Sequence, residues 1–180
     1  MSSSPLQLKT SYSRLNLVDS ELLDFQYLRT LSYELYGAAS VGEVLRVAHD
    51  IARKGSTRDA SIETWVQQGR HNARRAQEAL ALGQRQTARI NFLRAYNYLR
   101  TAEFFFDRHD QANFDAIYFE SVAAFDQAIA LFETPVEKID IPFEDGVSIP
   151  GYQKAAEGPW LQPRGWMAQE ASSSRTSPFA

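Results

Sequence analysis

INFLRAYNYLRTAEFFFDR, residues 90–108, and VEKIDIPFEDGVSIPGYQK, residues 136–154, carry two different hydrophobic periods. Around the first, Ala88, Phe92, Ala95, Tyr96, Leu99, Ala102 and Phe106 recur at steps of three and four, the spacing that puts side chains on one face of an α-helix. In the second, Ile139, Ile141 and Phe143 alternate with Lys138, Asp140 and Pro142, and Val147, Ile149 and Gly151 resume the alternation after Asp145-Gly146, a pair suited to the positive torsions of a hairpin turn. The period changes at Pro135, which disfavours the helical conformation in the residue before it. A helical region therefore gives way to a β-hairpin at that point. Pro142 and Pro150 cannot donate to a ladder, so the two strands read as edges or strand ends. A lone hairpin is marginal in water, which implies that more sheet follows it.

Working upstream, Asp19 or Ser20 offers a capping oxygen to a helix running from about Glu21 to Tyr36, with Gly37 as its left-handed stop. Ser40 and Glu43 have capping-box spacing and open a second helix that reaches about Arg53 before Gly55. From Ser61, the residues Ile62, Trp65, Gly69, Ala73, Ala76 and Leu80 mark a third helical face, ended by Gly83. Tyr118, Val122, Phe125, Ile129 and Phe132 mark the last. The chain thus reads as mainly α, about five helices and then a hairpin. The expected boundaries are a flexible Ser-rich segment at 1–18, a helical domain at 19–134, the hairpin at 135–156, and a disordered tail at 157–180 that is rich in Pro and Ser and has no period.

Composition narrows the functional classes. The 180 residues are 44% hydrophobic and 12% aromatic, enough for one packed core. A net charge of -3 with dispersed basic residues argues against a nucleic-acid partner, because phosphate binding needs concentrated positive charge. Cysteine is absent, so thiolate metal sites and disulfides are excluded and a cytoplasmic setting is expected. No apolar run reaches the ~18 residues of a membrane span. No cofactor and no membrane partner are expected.

Three stretches resemble a known family: YELYGAASVGEVLRVA (33–48), FLRAYNYLRTAEFFF (92–106) and VEKIDIPFEDGVSIPGY (136–152). Together, in this order, they are similar to the N-terminal part of a group of fungal secondary-metabolite α/β-hydrolases. That group includes hydrolases of fusarin and cytochalasan pathways and the polyketide-shortening hydrolase of melanin biosynthesis, with a more distant relation to pseudooxynicotine hydrolase. The resemblance covers roughly residues 30–155. It implies a helical cap over an active site, followed by the first hairpin of the hydrolase core, with a polyketide-derived small molecule as substrate. The family's nucleophile, acid and histidine come later in its chain, and no G-x-S-x-G elbow occurs here. The resemblance therefore implies a hydrolase portion truncated before its triad, with no catalytic residue to assign and no activity alone. An apolar face left uncovered would favour self-association.

Other chemistry is weakly signalled. Ser148 lies in GVSIPG, which lacks elbow spacing, and His49, His71 and His109 have no partner at metal-ligand spacing. Asp140, Glu144 and Asp145 surround a turn, where carboxylates serve solvation. The candidates for a substrate-facing surface are Arg94, Tyr98, Arg100 and Glu103: Tyr96 falls on the apolar stripe, Arg94, Tyr98 and Arg100 fall off it, and Arg100 and Glu103 form an i,i+3 pair. Core packing with a solvated ion pair is the competing explanation. A small helical adaptor binding a protein partner is the alternative function, suggested by Trp65-x-x-x-Gly69 before Ala-rich helices, although no 34-residue period recurs.

Overall fold

The computed structural model describes residues 15–18, 20–107 and 109–154. Most of the expected flexible N-terminal segment, Asp19 and the expected tail lie outside the described residues. The elements are α1 (Glu21–Leu31), α2 (Val41–Arg53), α3 (Arg58–Ala81), α4 (Arg85–Glu103), α5 (Gln111–Ile129), β1 (Val136–Pro142) and β2 (Ser148–Lys154). Single 3₁₀ turns cover Glu34–Tyr36 and Glu144–Gly146. The chain divides between Phe132 and Glu133 into two compact units, one helical and one containing the hairpin.

In the helical unit α4 is the central element. It lies antiparallel to α3: Trp65 meets Tyr98 with ring centroids 5.5 Å apart, while Ala76 and Ala79 cluster with Ala88 and Phe92 near the link. Gly83, with φ 72°, closes that link. The two helices approach closely at Gly69, where an added Cβ would stand 2.7 Å from Leu99 Cγ and 3.2 Å from Leu99 N. Gly69 therefore holds its place on the apolar stripe by having no side chain. On the far side α5 packs through Phe125, whose ring centroid is 4.8 Å from that of Tyr96.

Leu23 and Tyr27 of α1 and Val44, Val47 and Ile51 of α2 complete a core around Trp65, Tyr98 and Leu99. Burying a ring the size of Trp65 removes roughly 200 Å² from water, on the order of 5 kcal/mol of apolar transfer. That exceeds the ~1 kcal/mol net of an ordinary hydrogen bond, so apolar burial is the main stabilising term and the polar contacts set geometry. Asp24 fixes the entering chain, its carboxylate accepting from the backbone N–H of Leu15, Asn16 and Leu17 at 2.5, 2.9 and 2.8 Å.

Boundaries shift where tertiary contacts compete with local signals. The first helix ends at Leu31 rather than Tyr36, and Gly37 (φ 77°) closes the 3₁₀ turn instead. The reason is Asn97, whose single amide donates to the carbonyls of Thr30 and Ala38 at 3.0 and 2.9 Å. A continuing helix would separate those carbonyls by about 12 Å. The third helix starts at Arg58 rather than Ser61, because the Thr57 hydroxyl caps Ala60 N at 3.1 Å. The last helix stops at Ile129, and Phe132 N bonds Ile129 O in a tightened final turn.

The hairpin pairs antiparallel, with Ile141 opposite Ile149 and Ile139 opposite Gly151. The turn falls at the expected place but is not a two-residue turn: a 3₁₀ turn over Glu144–Gly146 makes the connection, Gly146 has φ 78°, and Phe143 N donates to Val147 O at 2.8 Å. Register places Ile139, Ile141 and Ile149 on one face, as the period-two pattern requires. Ile141, Phe143, Val147 and Ile149 are all exposed, and no side chain of this unit is buried among the described residues.

Candidate functional site

The four candidate residues separate into two groups on α4. Tyr98 does not lie off the buried surface as its position relative to the apolar stripe suggests; it is fully buried against Trp65. The stripe assumed one buried face, whereas α4 is packed between α3, α5 and the α1/α2 pair, so Asn91, Phe92, Leu93, Ala95, Asn97, Tyr98 and Leu99 are all buried. The Tyr98 hydroxyl accepts from Ser40 N at 3.0 Å and donates to Glu43 Oε2 at 2.7 Å. It stands between the two ends of the expected capping box and relays the contact that Glu43 would otherwise make to Ser40 N directly. Ser40 accordingly makes no side-chain cap bond. Arg94 and Arg75 face the other Glu43 oxygen at 3.7 and 3.8 Å. Burial, followed by the bond and charge of Glu43, drives the Tyr98 pKa far above its ordinary value. Tyr98 and Arg94 thus hold α2 against α4.

Arg100 and Glu103 belong to a second cluster, where the end of α1 meets α4 and α5. The Arg100 guanidinium donates to Tyr33 Oη at 2.9 Å and lies 5.6 Å from the Tyr33 ring centroid. Glu103 accepts from Ser121 Oγ at 2.6 Å, in place of the Arg100 bond that the i,i+3 spacing suggests. Arg29 projects from the last turn of α1 over the Phe104 ring, 5.9 Å from its centroid. Burial and the Arg100 charge lower the Arg29 pKa, and burial raises the pKa of Glu103 and of Tyr96 against the pull of both arginines. Arg100 is pushed the other way, chiefly by its bond to Tyr33. The cluster thus holds two guanidiniums against one carboxylate, among the rings of Tyr33, Tyr96 and Phe104. Sequence reasoning missed Arg29, Tyr33 and Ser121; the one available signal was an arginine in the last turn of the first helix.

The remaining candidates do not converge. His49 is exposed beside Asp50 at 3.7 Å, and His71 and His109 are exposed. Ser148 opens β2 opposite Pro142 and is exposed. Among the described residues no group of His, Asp and Glu could hold a metal ion, and no helix is long and apolar enough to cross a membrane. An open cleft of about 470 Å³ lies between α3 and α5, floored by Ile62, Val66, Phe106 and Ile117. Two of its rim charges are engaged: Arg70 binds both Glu120 oxygens at 2.9 and 2.6 Å, and Glu63 pairs with Lys54 at 2.9 Å.

No family model matches the chain. Curated fungal hydrolases do. The α/β-hydrolase xenA of Xenoacremonium sinensis is 34% identical over 133 residues, 74% of this chain and 31% of that protein. The 20-hydroxy-prefusarin hydrolase of Gibberella moniliformis is 33% identical over 139 residues, covering 73% and 31%. The α/β-hydrolase psoB of Aspergillus fumigatus is 31% identical over 140 residues, covering 76% and 31%. The chain spans about a third of the length of the curated relatives it matches. Over about three-quarters of its own length, then, this chain is homologous to one segment of the fungal α/β-hydrolases of secondary metabolism.

Proposed function

We propose that the chain supplies the cap and first hairpin of a cytosolic serine α/β-hydrolase acting on a polyketide-derived small molecule. The nucleophile, acid and histidine belong to polypeptide outside the matched segment. The observation that carries this reading is the homology itself, which includes a relative named for hydrolysis of 20-hydroxy-prefusarin. The helical unit adds a surface suited to such a ligand, with two guanidiniums and aromatic walls held on helices that share a packed core. In such an enzyme a serine attacks the substrate carbonyl, a histidine relays the proton and backbone amides hold the oxyanion. The cap excludes water and orients the substrate, with Arg100 near carbonyl oxygens and Tyr33 and Tyr96 along a conjugated chain.

The test is a fusion in which the downstream part of a close relative follows Lys154. The unfused chain should not turn over activated esters above background, and the fusion should. Within the fusion, Arg100→Ala should lower kcat/KM at least about tenfold, the loss of one charge-assisted hydrogen bond, with little change in thermal midpoint. Tyr98→Ala should act through folding. An active unfused chain, or Arg100→Ala with unchanged kinetics, would contradict the proposal.

A further inference from the structure

Among the described residues, Arg29 is the charged group of the second cluster that the fold leaves without a hydrogen-bonded counterpart. Among the described residues its guanidinium has no hydrogen-bond or ion-pair partner; the specific contact it makes is with the face of Phe104. Its Nε is shut off from solvent without an acceptor. It also shares its surroundings with Arg100, a like charge that opposes it and that Glu103 offsets in part. The nearby carboxylate, Glu103, is engaged by Ser121. Tyr96 contributes a hydroxyl that likewise has no partner among the described residues, and its ring packs on Phe125. Folding alone does not explain two half-buried guanidiniums that share a single carboxylate, because Glu103 can offset only one of the two charges and burying the excess is costly. An anion seated between them would account for both guanidiniums.

We infer that Arg29, Arg100 and Tyr96 form a binding site for an organic anion, a carboxylate or an enolate carried on a flat conjugated skeleton. The planar fork of Arg29 fits the two oxygens of a carboxylate or of an ionised 1,3-dicarbonyl. The Tyr96 hydroxyl supplies a further donor, and the exposed part of the Phe104 ring beside Arg29 offers apolar surface to the skeleton. This assignment rests on the cap reading for its biological setting and names the substrate class of that surface. The binding chemistry itself belongs to these residues.

The experiment is calorimetric titration of the 180-residue chain at low salt with three probes: sorbate, a conjugated carboxylate; 4-hydroxy-6-methyl-2-pyrone, a flat enolate at neutral pH; and sorbamide, the uncharged match of sorbate. At least one anion should bind, and sorbamide should bind about tenfold or more weakly. Sorbate alone would identify the ligand group as carboxylate, and the pyrone alone as enolate. Arg29→Met should cost about tenfold or more in affinity, the scale of a charge-assisted bond, and Arg29→Lys less. The stability readout separates function from structure: Arg29→Met should leave the thermal midpoint unchanged or higher, since it removes a strained charge while its thioether still packs on Phe104. Arg70→Met, in the cleft between α3 and α5, should bind as the parent does. Equal binding of sorbate and sorbamide, no binding of either anion, or unchanged affinity in Arg29→Met would overturn the inference. An inactive fusion with anion binding intact would count against the cap reading and leave this site standing.

Discussion

The helical unit and the hairpin solve the same problem to different degrees. Through Phe132 the chain buries Trp65, Tyr27, Tyr98, Phe92 and Ile51 almost completely and ties its helices with buried polar contacts. Beyond Glu133 it pairs two strands in good register but leaves Ile141, Phe143, Val147 and Ile149 exposed. Regular backbone hydrogen bonding forms in both regions, on one side of each strand in the hairpin; side-chain burial is achieved only in the helical unit. Hydrogen bonding sets a shape, and apolar burial supplies the stability that keeps it. The hairpin therefore has the geometry of a sheet and lacks the packing of one.

The largest predicted effect lies in the helical unit. Trp65→Ala should cost about 3–5 kcal/mol in denaturant unfolding, because the ring sits between Tyr27 and Tyr98 and its removal leaves a cavity. Gly69→Val should cost about 1–3 kcal/mol by overpacking against Leu99. A wild-type midpoint for either variant would show that α3 and α4 do not cross where described. Tyr98→Phe keeps the ring and removes the hydroxyl, leaving Glu43 and Ser40 N without their shared partner; about 1–3 kcal/mol is expected.

The same tyrosines give a pH signature. Burial pushes Tyr27 up to about 12 from its ordinary 10.0, and Tyr98 further in the same direction. Above 10 the unfolded chain loses phenolic protons that the folded chain keeps, so the unfolded state binds fewer protons and stability falls as pH rises through this window. The stability these groups contribute is complete below 10. Alkaline unfolding followed by helical circular dichroism should show that slope, and Tyr98→Phe should flatten it; an identical slope in the variant would rule out Tyr98 as its source.

The smallest effect is expected in the hairpin. Ile149→Ala should change the stability of the helical unit by no more than about 0.5 kcal/mol, as for an exposed side chain. A larger loss would mean that the two units share stability.

Much of this contrast was legible in sequence, and the exceptions have a common cause. The shift from period 3.6 to period two at Pro135 separated helices from hairpin, and Gly83 and Gly146 marked turns that the structure contains. The central position of α4 was not legible, because a helix covered on several sides carries no single stripe; Tyr98 read as off the stripe and is a buried link, as is Asn97. The end of the first helix was missed for the same reason, since Asn97 acts on Thr30 from 67 residues away. At the candidate site Arg100 and Glu103 were put forward from spacing on one helix, as a pair whose members instead bond Tyr33 and Ser121. Arg29, Tyr33 and Ser121 join them only through the packing of α1 and α5 on α4, which no local pattern records.

Native-state hydrogen exchange, resolved amide by amide, distinguishes a packed unit from one that is only paired. In the 180-residue chain the amides of α4 from Phe92 to Thr101 should exchange only through global unfolding, while those of β1 and β2 should exchange orders of magnitude faster through local opening. Fused to the downstream part of a relative, the hairpin should gain protection and α4 should change little. Hairpin amides as slow as those of α4 in the unfused chain would contradict this division of stability between the two units.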